Sequence, residues 1–101
     1  MATREQNVKA RGEILRLARR FGGNGVSIAG VDRIFQQAGM FAALSSLEEN
    51  IEYLQGKGYL AAELATDPLS DVERWIIRIT PAGIDLLDGV IPADPGVDRV
   101  C

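Results

Sequence analysis

The sequence contains no histidine and a single cysteine, Cys101, and these scarcities exclude much of ordinary enzyme chemistry. Zinc sites need three or four Cys, His or carboxylate ligands, and nucleophilic triads need an imidazole or a substitute base beside the nucleophile. Neither can be assembled conventionally from these residues. We therefore expect no catalytic residues, no metal site and no cofactor, and a protein that is not an enzyme.

Long apolar segments are also missing. Apolar runs extend over only a few residues, as at residues 75–77, and no apolar core follows the first charged residues as it would in a signal peptide. One thiol forms no disulfide within the chain, so the chain does not need an oxidising compartment. These features predict no membrane contact and a cytoplasmic location.

The 101 residues, 47% of them apolar and 25% charged, fit one ordinary globular domain. Helical spacing of apolar residues predicts a first helix over residues 7–21. A short extended piece at Val26 leads to Ser27, which is a good N-cap for a second helix of about eleven residues. Gly39 supplies the left-handed C-cap that ends this helix. A third helix follows and ends near Gln55.

The spacing of apolar residues along the sequence then changes from the one typical of helices to the one typical of strands. Residues 59–64 and 74–80 are predicted strands, and residues 65–73 between them are a polar loop, so that the pair forms an antiparallel hairpin. Thr80 as N-cap and Pro81 at the first helical position predict a fourth helix that Gly89 ends.

The aromatic residues divide into two groups by their expected exposure. Phe21, Phe35 and Trp75 fall on faces that the pattern directs inward, so we expect them in the core. Tyr53 and Phe41 are the aromatic residues expected at the surface, where they could anchor a partner.

This order of helix, short strand, helix, helix, hairpin wing and helix resembles the winged helix-turn-helix domain, a mainly α fold with a β-hairpin. Residues 54–60 are similar to the leucine, basic, glycine and aromatic signature that links the third helix to the wing. Residues 79–87 are similar to the Thr-x-x-Gly-x-x-x-Leu segment that follows the wing. The resemblance covers residues 7–89, and it leaves residues 90–101, which contain Pro92 and Pro95, as an extended or loosely attached tail.

At a finer level, compact size and residues 88–97 resemble small winged-helix proteins of Mu-like phages and prophages. This resemblance implies a protein of the cytoplasm of a bacterium or a phage-infected host. It also implies a role in phage regulation or DNA packaging.

In DNA-binding members of the fold, the third helix lies in the major groove and the wing touches the DNA backbone or minor groove. The resemblance places Glu49 and Asn50 at positions that contact bases, and Ser45 and Ser46 could bind phosphates. Helical geometry turns Ser45, Ser46, Glu49, Glu52 and Tyr53 outward, with Glu48 beside them. This face has no lysine or arginine, which disagrees with the usual docking on DNA.

Charge is unevenly distributed along the chain. Residues 1–35 hold seven basic and three acidic groups, a net charge of +4, whereas the remainder carries −7. On the first helix Lys9, Arg16 and Arg20 form one outward stripe, with Arg19 to one side. This stripe could bind phosphates from an unusual direction, face an acidic partner, or be solvated.

Two functions follow from these observations. The first is a small winged-helix protein that binds double-stranded DNA, as a homodimer because one such module reads only a short site. The second is a winged-helix protein-interaction module, in which the acidic third helix and wing bind a basic partner surface or a second copy. The fold alone does not separate them.

Overall fold

The computed structural model describes residues 3–39, 44–66 and 68–98, with side-chain surroundings for all of these except residues 44 and 45. Phe41, the side chain of Ser45 and residues 99–101 of the predicted tail thus lie outside the described residues. The elements are α1 (Arg4–Phe21), a 3-10 turn (Gly22–Asn24), β1 (Val26–Ser27), α2 (Ile28–Gln37), α3 (Leu44–Gly56), β2 (Leu60–Thr66), β3 (Glu73–Ile79) and α4 (Pro81–Asp88). The predicted order of elements is confirmed.

Local capping explains where the helices begin and end. Ser27 accepts a hydrogen bond from the backbone N–H of Gly30 at 3.0 Å, and Thr80 caps α4 in the same way, both as predicted. Gly39 and Gly89 have positive φ, as their predicted roles require. The start of α1 was predicted too late, because Thr3 and Gln6 form a reciprocal capping box before Arg4.

The sheet is antiparallel with the strand order β1-β3-β2. Its β2–β3 ladder runs from the Leu60–Ile79 pair to the Thr66–Glu73 pair. The predicted loop over residues 65–73 was therefore too long at both ends. Polar side chains do not prevent backbone pairing where a hairpin is exposed, so the polar composition of these residues was a poor guide to the end of the ladder.

The core lies between the helices and one face of the sheet. Its most completely buried large side chains are Ile14, Leu15, Val31, Leu47, Leu54, Ile77 and Leu86. Phe35 is buried as predicted, but Phe21 and Trp75 are 42% and 52% exposed, which corrects their expected core positions. Phe21 is the last residue of α1, where the chain turns away at Gly22.

Trp75 does lie on the core face of the hairpin, but beyond the helices that cover it. Ile77, two residues further along the same face, is fully buried. Leu64, which pairs with Trp75 across the ladder, is also half-exposed. The wing thus extends the apolar face of the sheet past the edge of the core.

Residues 94–98, which we call the strap, pack against α1 and α3. Val97 is only 4% exposed and belongs to the core. The Asp98 N–H donates to the Val8 carbonyl at 3.2 Å, and the Arg16 guanidinium donates to the Asp98 carbonyl at 3.0 Å. The tail was expected to be extended or loosely attached; residues 94–98 of it are firmly packed.

Candidate nucleic-acid interface

Helix α3 presents an acidic surface on the side opposite its buried residues. Leu47, Ile51 and Leu54 face the core as predicted. Glu48, Glu49 and Glu52 are exposed, Ser46 is half-buried, and the sequence from residue 46 to residue 56 contains no lysine or arginine. The structure therefore retains the disagreement with the usual docking of a third helix on DNA.

Asn50 does not belong to this surface. It is 2% exposed, and its Oδ1 accepts a hydrogen bond from Arg11 Nε at 3.0 Å while its Nδ2 donates to Asn7 Oδ1 at 3.2 Å. The expectation that Asn50 is offered to bases is wrong for this geometry. A buried amide must find partners inside the protein, and here it links α3 to α1.

Tyr53 is half-buried rather than open to a partner. The Arg11 guanidinium lies 3.7 Å from the centre of its ring, an arrangement that is attractive for a cation and an aromatic face. Its hydroxyl donates to Asp94 Oδ1 at 3.2 Å, and Arg11 also donates to the Gly96 carbonyl at 3.2 Å. These contacts join α1, α3 and the strap in one polar network.

Asp94 is the acceptor at the centre of the strap. It accepts hydrogen bonds from the hydroxyls of Tyr53 and Tyr59 and from the Gly96 N–H at 2.8 Å. Burial alone would raise the pKa of Asp94, but these three donors and nearby Lys57 favour the carboxylate and lower its pKa. Burial, followed by the hydrogen bond to Asp94, raises the pKa of Tyr59 to about 12.

The predicted basic stripe on α1 is only partly available. Arg16 is half-buried, and its guanidinium contacts Glu13 at 2.5 Å in addition to the Asp98 carbonyl. Its expected outward position is therefore wrong, since both bonds direct it across the surface of the protein.

Arg19 is exposed but engaged, because its guanidinium donates to both carboxylate oxygens of Asp88 on α4, at 2.6 and 3.3 Å. Lys9 and Arg20 are exposed and form no ion pair within the described residues. Of the four predicted basic residues, these two could form a new ion pair without breaking one that the described residues already contain.

The wing has two faces of different character. On one face, Arg78 forms an ion pair with Glu63 across the ladder and donates to the Gly23 carbonyl. The other face and the tip expose four apolar side chains, Leu64, Leu69, Val72 and Trp75. Arg74 on the wing is exposed and forms no ion pair within the described residues.

Sequence reasoning missed the strap and the exposed apolar face of the wing. The run Asp94-Pro95-Gly96 is typical of a tight turn, and this turn lets Asp94 accept from the Gly96 N–H. The sequence did contain one signal for the exposed apolar face. Trp75 and Leu64 lie next to the loop of the predicted hairpin, where a strand can extend past the core.

Comparison with solved structures supports the observed architecture. The chain is similar to Bacillus subtilis PadR, solved in complex with operator DNA, with a TM-score of 0.63 and 21% sequence identity. The fold is a winged helix-turn-helix. The similarity covers 90% of this chain but 51% of the PadR chain, so this chain spans about half the length of that protein.

The other comparisons identified no relative. No protein-family profile matches the chain, and no curated protein matches it. Among the helices that the structure describes, none is long and apolar enough to cross a membrane. Residues 3–39, 44–66 and 68–98 contain no group of three or more potential metal ligands.

Proposed function

We propose that this protein is a non-enzymatic DNA-binding protein of the regulatory type. The observation that supports this function is the winged-helix arrangement, which it shares with a protein solved on operator DNA. A role in phage regulation or DNA packaging, in the bacterial or infected-host cytoplasm, is supported by the sequence resemblance to proteins of Mu-like phages. Binding as a homodimer would provide the second half-site that one module lacks.

The charge distribution determines how such a complex would form. Six exposed cations have no ion pair in the described residues: Arg4, Lys9 and Arg20 on α1, Arg33 on α2, Lys57 after α3 and Arg74 on the wing. Lys9, Arg20, Arg33 and Arg74 would neutralise phosphates, Ser45 and Ser46 would bind phosphates, and Glu49 would approach bases. Exposed carboxylates on α3 would oppose the approach of DNA phosphates.

Salt dependence of binding tests this proposal directly. Four neutralised phosphates correspond to a slope of about −3.6 in log K against log salt, so affinity should fall about 150-fold between roughly 50 and 200 mM salt. Fluorescence anisotropy with random and genomic duplexes measures both values. Absence of binding at the lower salt would refute the DNA-binding function.

Two variants separate the roles of α1 and α3. Lys9→Ala combined with Arg20→Ala should weaken binding and make the salt slope shallower by about 2, the contribution of two phosphate contacts. Replacement of Glu48, Glu49 and Glu52 by glutamine should strengthen binding if α3 faces the duplex.

Light scattering with and without reductant would distinguish a dimer formed by the fold from one formed through Cys101.

A second function, the protein-interaction module, is favoured by the combination of an acidic α3 and an apolar wing. Glu48, Glu49 and Glu52 repel DNA but attract a basic surface, and exposed Trp75 and Leu64 offer contact area that a duplex backbone does not use. Binding of a basic protein segment, without binding of DNA at about 50 mM salt, would favour this function over the first.

A further inference from the structure

A groove lies between the start of α2, the outer side of α3 and the apolar face of the hairpin. Its volume is about 340 Å³. It is lined by Ile28, Glu48, Ile51, Glu52, Gln55, Ala62 and Trp75.

Apolar side chains form much of the groove surface. Ile51 is almost fully buried, Ile28 and Ala62 are half-buried, and Trp75 leaves about half of its surface in water. Exposure of a tryptophan that lies on the core face of its own sheet leaves a large apolar area uncovered. Tryptophan in such a position is typical of the central contacts of protein interfaces.

Two carboxylates stand beside this apolar surface. Glu48 and Glu52 are four residues apart on α3, so they lie on the same side of the helix and repel each other. Neither forms an ion pair within the described residues. A cation placed between them would relieve this repulsion, and the indole of Trp75 attracts the same kind of group.

We propose that this groove binds a basic segment of a partner protein. One arginine or lysine side chain of the segment contacts Trp75 and pairs with Glu48 and Glu52, and an adjacent apolar side chain contacts Ile28 and Ile51. Charge complementarity selects this occupant, because phosphate groups would meet the two carboxylates at close range. The proposal does not depend on DNA binding, although an occupied groove would cover part of the α3 surface that a duplex would use.

Trp75 provides a direct readout because it is the sole tryptophan of the chain. The probe is a short synthetic peptide of alternating arginine and leucine, added to the full chain in the absence of DNA. Tryptophan fluorescence should change saturably with an apparent Kd below about 1 mM. A peptide of the same length with glutamate in place of arginine should give no saturable change.

Matched double variants test whether the groove is the site. Glu48→Gln with Glu52→Gln should weaken peptide binding about 5- to 10-fold, since two exposed charge pairs are lost. Glu5→Gln with Glu73→Gln removes the same charge from exposed residues that do not line the groove, and it should change the affinity less than about twofold. Circular dichroism would verify that both variants keep the fold.

Three results would overturn the proposal. One is the absence of a saturable fluorescence change with the arginine peptide. Another is an equal loss of affinity in the two double variants, which would mean general attraction to a negative protein. The third is self-association that depends on protein concentration and is abolished by Glu48→Gln with Glu52→Gln, when the peptide itself does not bind. This result would assign the groove to a second copy of the chain. None of these results depends on whether duplex DNA binds.

Discussion

Replacement of Gly12 by alanine should destabilise the protein, although the same change inside an ordinary helix is stabilising. Gly12 lies within α1 at the point where the strap crosses it. A Cβ atom at this position would lie 1.9 Å from the Asp98 carbonyl oxygen and 2.9 Å from its carbonyl carbon. No backbone can remain at that distance, so the strap must move away from the helix.

The expected magnitude follows from the contacts that the displacement breaks. The hydrogen bond between Arg16 and the Asp98 carbonyl and the one between Asp98 and Val8 would be lost, together about 2–4 kcal/mol. Partial exposure of Val97 adds about 1 kcal/mol. The gain in helix propensity from glycine to alanine offsets about 1 kcal/mol of this loss. We expect a net destabilisation of about 3 kcal/mol and a Tm about 12–24 °C lower.

Thermal and urea unfolding, followed by circular dichroism, measure this effect. Gly56→Ala is the matched control, because Gly56 is helical and its added Cβ would have no atom within 4 Å beyond its chain neighbours and its own helix backbone. The control should be neutral or slightly more stable than the original protein. If Gly12→Ala proved as stable as this control, the close packing of the strap on α1 would be refuted.

Three further predictions concern the strap, the Asn50 network and the aromatic residues. Because folding lowers the pKa of Asp94, its contribution to stability is complete above its ordinary pKa of 3.8 and is lost as the pH falls below that value. Because folding raises the pKa of Tyr59 to about 12, the contribution of Tyr59 is lost as the pH rises from 10.0 towards 12. The urea concentration at the unfolding midpoint should therefore decrease at both ends of this pH range. Asp94→Asn should remove the decrease at acidic pH, and an unchanged decrease in that variant would contradict the role given to Asp94. Asn50→Ala should cost about 1–3 kcal/mol in chemical unfolding because it leaves buried polar partners unpaired, and a cost below about 0.5 kcal/mol would contradict that network. Trp75→Ala should cost about 1 kcal/mol or less and Phe35→Ala about 3–5 kcal/mol, and similar costs for the two would show that Trp75 is part of the core.

The sequence contained enough information to predict the fold because its signals are local and agree with one another. Ser27, Thr80 and Gly89 act on the backbone within a few residues, and each behaves in the structure as its type predicts. The helical spacing of Leu47, Ile51 and Leu54 likewise identified the buried side of α3 without knowledge of what covers it.

Features that depend on contacts between distant residues were not predicted. Asn50 lies on the flank of α3, and whether a flank is exposed depends on α1 and on the strap, which arrive from both ends of the domain. Trp75 fits the alternation of apolar residues along its strand that is typical of a core-facing position. That alternation identifies one face of the strand, but it does not show how far along this face the covering helices extend. Glu48, Glu49 and Glu52 are exposed on α3, and exposed glutamates need no distant partner.

The strap also sets the order in which the domain can be completed during synthesis. Arg11 and the Gly96 carbonyl that it binds are separated by 85 residues. At about 5–20 residues per second, a ribosome needs roughly 4–17 seconds to make the intervening chain. During that interval no strap covers the side of α1 on which the strap packs. Asn50 can already bind Asn7 and Arg11 on α1, whereas Tyr53 cannot bind Asp94 until the strap has been made. The packing of α1 is therefore completed only after the strap has been made.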